Sequence, residues 1–279
     1  MKNENYQLWL DNIKSPDQLK ELKSMDENQI HLAFDFPFVF GTAGVRAKLG
    51  LGSSLLNIYT IRKLGLGYFN YLKKSGWTNF FQSKGIVIFH DNRHYSKEFT
   101  MELANLFSER GLVVYLAPNN DLKPTPLMSF TVREIGALGG IIITASHNPK
   151  QYNGFKVYGQ EGEQLLPKET TAINAEVKKI NDKDVLNLKI SPNKDLIRTV
   201  PDEIEHNYVN YVKSLALNSA LEKKLKVAFS SQHGTSYKLV PQILTELGYD
   251  VVQSLNNVCQ ILILHILLQL ILKFLKVFS

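Results

Sequence analysis

The sequence predicts an α/β fold with mixed, largely parallel sheets and helices on both faces. Three observations carry that reading. Short apolar runs at residues 85–90, 112–117 and 139–143 alternate with longer stretches of helical period, the pattern of parallel strands joined by crossover helices. Each run ends in a polar loop, and in such a sheet those loops gather along one edge, where ligands bind. Finally, the three isoleucines at 141–143 give way abruptly to Thr144, Ala145 and Ser146, then to the turn formers Asn148 and Pro149.

Taken in order, residues 5–33 read as a helical leader. Tyr6, Leu8, Trp9 and Leu10 are its apolar residues, and Ser15-Pro16 starts a helix that carries Leu19, Leu22 and Met25. Residues 38–46 run from an aromatic-apolar segment into a Gly-rich loop closed by Arg46. Main-chain N–H groups and a bidentate guanidinium suit an anion there, although an ordinary turn has the same look in isolation. A helical period over 59–74 leads to the strand at 85–90 and to a polar loop, with Ser96 as N-cap of a helix over 97–110 that Gly111 ends. After the strand at 112–117, Lys123-Pro124-Thr125-Pro126 stiffens the entry to a helix over 127–135. This βαβαβ order would bring Asp91, Arg93, Thr125 and Ser146 toward one edge.

Beyond the central stretch, Val157, Tyr158 and the turn at 159–162 suggest a hairpin, followed by a helix over 168–180 and a polar, irregular segment at 182–194. A domain boundary is expected at 190–201, where apolar residues are few and Pro192 and Pro201 punctuate the chain. A second αβ unit follows: a helix at 202–217, a strand at 225–230, a helix at 237–247 ended by Gly248, and a strand at 249–252.

The length of 279 residues suits about two domains, at roughly 150 residues each. With 44% hydrophobic and 21% charged residues, the composition is that of a folded, water-soluble chain. A net charge of +6 fits a phosphorylated small substrate, an anionic membrane, nucleic acid or simply a mildly basic surface, but no run of five basic residues and no nucleic-acid-binding motif accompanies it. The single cysteine, Cys259, excludes an internal disulfide. Together with an N-terminus that lacks an apolar signal core, it points to the cytoplasm.

Ser146 stands where a buried strand becomes a loop. It is flanked by the Thr144 hydroxyl, His147 and the Asn148 amide, with Lys156 ten residues on. A serine needs an activating base or charge to act as a nucleophile, and the hydrolase elbow Gly-x-Ser-x-Gly is absent. His147 could be that base or could orient an anion, because neighbours on an extended segment face opposite ways. Phosphoryl transfer depends on positioning and charge neutralisation, so the surroundings indicate a serine that handles phosphoryl groups. Asp91, Arg93 and His233 could equally be ordinary polar loop residues, and Arg46 and Lys156 could be surface charges.

Thr144-Ala145-Ser146-His147-Asn148-Pro149, with Tyr152-Asn153-Gly154-Phe155-Lys156, resembles the active-site signature of the α-D-phosphohexomutases, the phosphoglucomutase/phosphomannomutase superfamily. The likeness extends to residues 40–46, Asp91-x-Arg93, Thr125-Pro126 and His233-Gly234-Thr235. The leader around Trp9 and residues 21–25 resembles the phosphoglucomutase-2/phosphopentomutase branch. The resemblance implies a leader at 1–38, the family's first domain at 39–195 and part of its second at 196–255.

It also implies a phosphosugar mutase, moving phosphate between C1 and C6 of a hexose or C1 and C5 of a pentose through a phosphoserine and a bisphosphate intermediate. Ser146 would carry the phosphoryl group, with His147 and Lys156 assisting proton transfer and Arg46 beside them. Thr144, Asn148, Asn153 and Arg93 would bind phosphate or substrate. Mg2+ would bridge the Ser146 phosphate and an Asp-x-Asp-x-Asp-Arg loop, with glucose 1,6-bisphosphate as activator. That aspartate loop does not occur in this sequence.

Residues 256–279 do not match the family. Their near-continuous Ile, Leu and Phe is broken by His265, Gln269, Lys273 and Lys276 on one helical face. A membrane span, an amphipathic or core helix and a frameshifted ending are the three readings, and the last is preferred. The expectation is then a truncated chain with impaired turnover. The alternative is a non-catalytic fragment that binds phosphosugar or a separate chain supplying the missing domains.

Overall fold

A computed structural model describes residues 3–38, 40–41, 44–217 and 222–253. They fall into two compact units that divide after Ile204. The first opens with three short helices, α1 (Glu4–Asn12), α2 (Pro16–Lys23) and α3 (Glu27–Phe34). Each has its own start signal. Asn3 caps α1, Ser15 caps α2 with Pro16 at its first position, and Asp26 with Gln29 forms a capping box on α3. They bury Trp9, Leu22 and Phe34 together with Leu51 and Leu186.

The main sheet runs β1-β5-β4-β2-β3-β6. Its strands are β1 (Val45–Lys48), β2 (Ile86–His90), β3 (Val114–Leu116), β4 (Gly140–Ile143), β5 (Tyr152–Tyr158) and β6 (Ile197–Thr199). The central pairings β4–β2–β3–β6 are parallel, and β5 runs antiparallel to both β4 and β1. Helices α4 (Ile58–Lys74), α5 (Ser96–Glu109) and α7 (Pro167–Val177) share a core with Ile86, Ile88, Val114, Leu116, Ile141, Ile143, Phe155 and Val157. Successive strand residues face opposite sides. Ile142 and Gly140 therefore look the other way, toward α6 (Thr125–Ile135), whose Met128 and Val132 close on Gly140. This is the expected α/β architecture with helices on both faces, and with both faces covered β2 and β4 are buried throughout.

Several expectations change. Ser96 is the first helical residue of α5 rather than its cap. Tyr95, at φ 63°, takes the cap position, and the Ser96 hydroxyl bonds Asp91 instead. The hairpin read from Val157 and Tyr158 closes as a single antiparallel bridge from Tyr158 to Gln164 around the turn at 159–162, but its first strand starts earlier, as the seven residues of β5. Asn153, Gly154 and Lys156 have little strand propensity of their own, and β5 forms because it pairs on both sides. The polar segment at 182–194 holds a short helix, α8 (Asp182–Leu186). Its Val185 and Leu186 are buried, and its Asp182 accepts a hydrogen bond from Trp9 Nε1 at 3.2 Å. β6 pairs with β3 in the main sheet, and the first compact unit runs to Ile204.

From the division onward, α9 (Asp202–Ser214), whose first turn precedes it, β7 (Lys226–Phe229), α10 (Leu239–Glu246) and β8 (Asp250–Gln253) follow the expected order, with β7 and β8 parallel. The three readings of the tail at 256–279 lie outside the described residues. Among the described residues, no helix is long and apolar enough to cross a membrane.

Candidate active site

The loop between β4 and β5 is the centre of the site. The strand pair ends at Ile143 and Phe155, Thr144 N donates to Gly154 O, and the chain then turns. Thr144 is buried, and its Oγ1 accepts from Ser146 N at 2.9 Å, while Asn148 N donates to Ala145 O. Ser146 is exposed and sits at φ 58°, a left-handed conformation that costs an L-residue about 1–2 kcal/mol. It persists only where the surroundings over-determine it. That turn breaks the strand alternation, so Ser146 Oγ and His147 Nδ1 come to 3.3 Å of each other instead of facing opposite ways.

Two arginines hold the loop. Arg46, paired with Gly154 across β1 and β5, donates from Nη1 to Asn148 Oδ1 at 3.3 Å. Gly154 makes this approach possible. A Cβ there would lie 2.4 Å from Thr144 O, 2.8 Å from Val45 O and 3.3 Å from Arg46 Cγ. Arg93, from the loop after β2, donates to Ser146 O, Asn148 O, Pro149 O and Tyr152 O at 2.6–3.0 Å.

Strand alternation puts Lys156 on the same face as Arg46 and Gly154. Its Nζ donates to Tyr158 Oη at 3.0 Å and lies over that ring. Residues 144–156 contain Lys150 and Lys156 and no Asp or Glu, so the exposed face of the loop favours an anion.

The sequence-expected residues therefore divide into two sets. Ser146, His147, Asn148 and Arg46 are brought together, Lys156 shares their face, and Thr144 shapes the turn from within. Arg93 and Asn153, expected as phosphate or substrate ligands, are placed differently. Arg93 has its guanidinium N–H groups turned on the loop carbonyls and on Asp91. Asn153 is fully buried and bonds His94 O, Ser96 Oγ and the Gly154 N–H. Both brace the loop, with these donors turned on the protein.

Sequence reasoning missed the roles of Asp91 and Ser96 as the link between these two braces. The Asp-x-Arg spacing was the only signal for the first, and Ser96 was hidden by its suitability as a cap. Thr125 opens α6 and His233 belongs to the second unit.

Magnesium takes six oxygen ligands in near-ideal octahedral geometry. Among the described residues, no group of three His, Cys, Asp or Glu could hold a metal ion. The residues described do not build the implied Mg2+ site, and a phosphorylated Ser146 could supply only oxygens from its own group.

Against known proteins, the family model for phosphoglucomutase/phosphomannomutase, α/β/α domain I, matches residues 37–184. A phosphoglucomutase of Staphylococcus epidermidis ATCC 12228 is 38% identical over 223 residues, covering 79% of this chain and 39% of the relative. One of Staphylococcus aureus N315 is 37% identical over 228 residues, with 81% and 40% covered. A crystal structure from Thermus thermophilus, described as a phosphomannomutase, superposes with a TM-score of 0.62 at 27% identity, over 78% of this chain and 46% of that one. The chain thus spans about two-fifths of the length of the curated relatives it matches. By the extent of the family match and the fold it shares, this chain belongs to the phosphoglucomutase/phosphomannomutase family.

Proposed function

We propose that this chain carries the phosphoserine half of a phosphosugar mutase, with Ser146 as the group that accepts and returns phosphate. The observation that supports it is the exposed Ser146 hydroxyl, set 3.3 Å from His147 Nδ1 on a loop pinned by Arg46 and Arg93. In the reaction, Ser146 Oγ attacks phosphorus as its proton passes to His147 Nδ1. The bond from phosphorus to the sugar oxygen breaks, and Lys156 returns a proton to that oxygen. The positive face formed by Arg46 and Lys156 offsets the charge that builds on the phosphoryl oxygens.

The family membership favours a hexose or pentose phosphate as substrate and a sugar bisphosphate as intermediate. Mg2+, when bound to the complete site, would neutralise charge on the serine phosphate. Since the described residues form only the serine side, full turnover is proposed to need groups beyond them, and a cytoplasmic setting fits a soluble phosphosugar.

The test is mass spectrometry of the full chain after incubation with glucose 1,6-bisphosphate and Mg2+. One phosphoryl group on Ser146, and none in Ser146→Ala, is the expected result. An unmodified Ser146 would sink the reading and leave a non-catalytic phosphosugar- or partner-binding chain.

A further inference from the structure

The loop that carries Ser146 is shaped by a guanidinium that never reaches the serine hydroxyl. Both terminal nitrogens of Arg93 donate twice, and Nε is ion-paired. Nη1 donates to Pro149 O and Tyr152 O, Nη2 to Ser146 O and Asn148 O, and Nε faces Asp91 Oδ2 at 3.3 Å. Four carbonyl oxygens, three from the loop and one from Tyr152 at the start of β5, therefore converge on a single cation. Without it their dipoles would repel one another, and the peptide units would turn outward to water.

The cation is itself fixed. Asp91 Oδ1 accepts from Arg93 N at 2.9 Å and from Ser96 Oγ at 2.7 Å. Ser96 Oγ accepts in turn from Asn153 Nδ2 at 2.9 Å, at the start of β5. The chain of bonds thus runs from the N-terminus of α5, through Asp91 and Arg93, into the loop, and returns to β5. The Arg93 and Asp91 side chains are only 12% and 10% exposed, so water screens these bonds little.

We propose that Arg93, locked by Asp91, is a positioning residue for Ser146: it draws the loop carbonyls inward and so fixes the left-handed turn that brings Ser146 Oγ to His147. Pulling the Ser146 carbonyl toward Arg93 leaves the opposite side of the turn, with its hydroxyl and imidazole, open to solvent. The assignment deepens the phosphoserine reading, and only one of the two readouts below rests on that reading.

The experiment compares the full-length wild type with Arg93→Met, Arg93→Lys and Asp91→Asn. The first readout is hydrogen exchange of the amides at 144–152 against those of β2 and β4. The second is the rate of phosphate uptake at Ser146 from glucose 1,6-bisphosphate with Mg2+. Each lost bond to the cation is worth about a tenfold factor in an equilibrium. Arg93→Met is expected to speed loop exchange about a hundredfold while the strands stay protected, and to slow uptake by a similar factor. Millimolar guanidinium should restore part of the uptake, which it would not do for a general loss of stability.

Arg93→Lys and Asp91→Asn should lie between these limits, and they carry the comparison if Arg93→Met does not fold. Loop exchange equal to wild type in every folded variant would overturn the assignment, as would strands that loosen in step with the loop. A wild type that takes up no phosphate defeats the phosphoserine reading, whereas the exchange measurement still decides the positioning role.

Discussion

Of the loops that leave the carboxyl ends of strands and hold non-glycine residues in left-handed conformations, those after β4 and β7 are stabilised differently. In the β4–β5 loop, Ser146 at φ 58° is held by donors from elsewhere in the chain: Arg93 from the β2 loop and Arg46 from β1. In the loop after β7, Gln232 at φ 46° and His233 at φ 66° lie within bonds of short range. Gly234 N donates to Ser231 O at 2.8 Å and Gln232 N to Ser230 Oγ at 3.3 Å. A turn closed by its own neighbours is set by local sequence. One braced by residues 53 and 102 positions away is set by the sheet.

The largest effect is expected at Gly154. A methyl group there meets main-chain oxygens of both the loop and β1, neither of which can move without disturbing a paired strand. Gly154→Ala should destabilise the chain by about 1–3 kcal/mol, the usual range for overpacking, and lower the midpoint of urea unfolding without changing its slope. An unchanged midpoint would mean that the β1–loop–β5 contact is loose and the contrast between the loops overstated.

A control away from both loops comes next. Hydrogen bonds from Lys179 and Lys74 hold the Glu176 carboxyl below its ordinary range. A carboxylate whose pKa falls on folding adds stability above its unfolded value, about pH 4.3, and loses it as pH drops through the folded value. Glu176→Gln should therefore be less stable than wild type at pH 7, with the two unfolding curves merging at acid pH. A difference that persists at low pH would point to packing instead of charge.

The smallest effect is expected at Gln232→Gly. Relief of left-handed strain, about 1 kcal/mol, is offset by the greater freedom glycine gives the unfolded chain, about 0.5–1 kcal/mol. The midpoint of thermal unfolding should stay within a few degrees of wild type, on the scale set by a net change under about 0.5 kcal/mol. A large loss would show that this loop, too, depends on long-range bracing.

Much of the architecture was legible because its signals are local. Ser15-Pro16 starts α2, a helical period over 59–74 marks most of α4, and the isoleucines at 141–143 form a strand buried on both faces. The serine loop stood out because turn formers follow that strand at once. What escaped was the material that needs a partner to take shape. α8 is too short to be stable alone and forms where its Leu186 joins the leader's core. β5 contains Gly154 and Asn153 and exists by pairing on both edges, and β6 is three residues that complete the edge beside β3.

By itself the sequence determined the α/β class, the order of most helices and strands, and the abrupt strand-to-loop change at Ser146, because periodicity, caps and turn residues act over a few positions. The tertiary structure alone decided what Arg93 and Asn153 do. An arginine in a polar loop reads as a ligand for an anion until the fold sets four carbonyl oxygens around it. A hydrogen-bonding group binds whatever the fold places within about 3 Å, and that neighbour is fixed by sheet register and loop closure, not by the residues beside it in the chain.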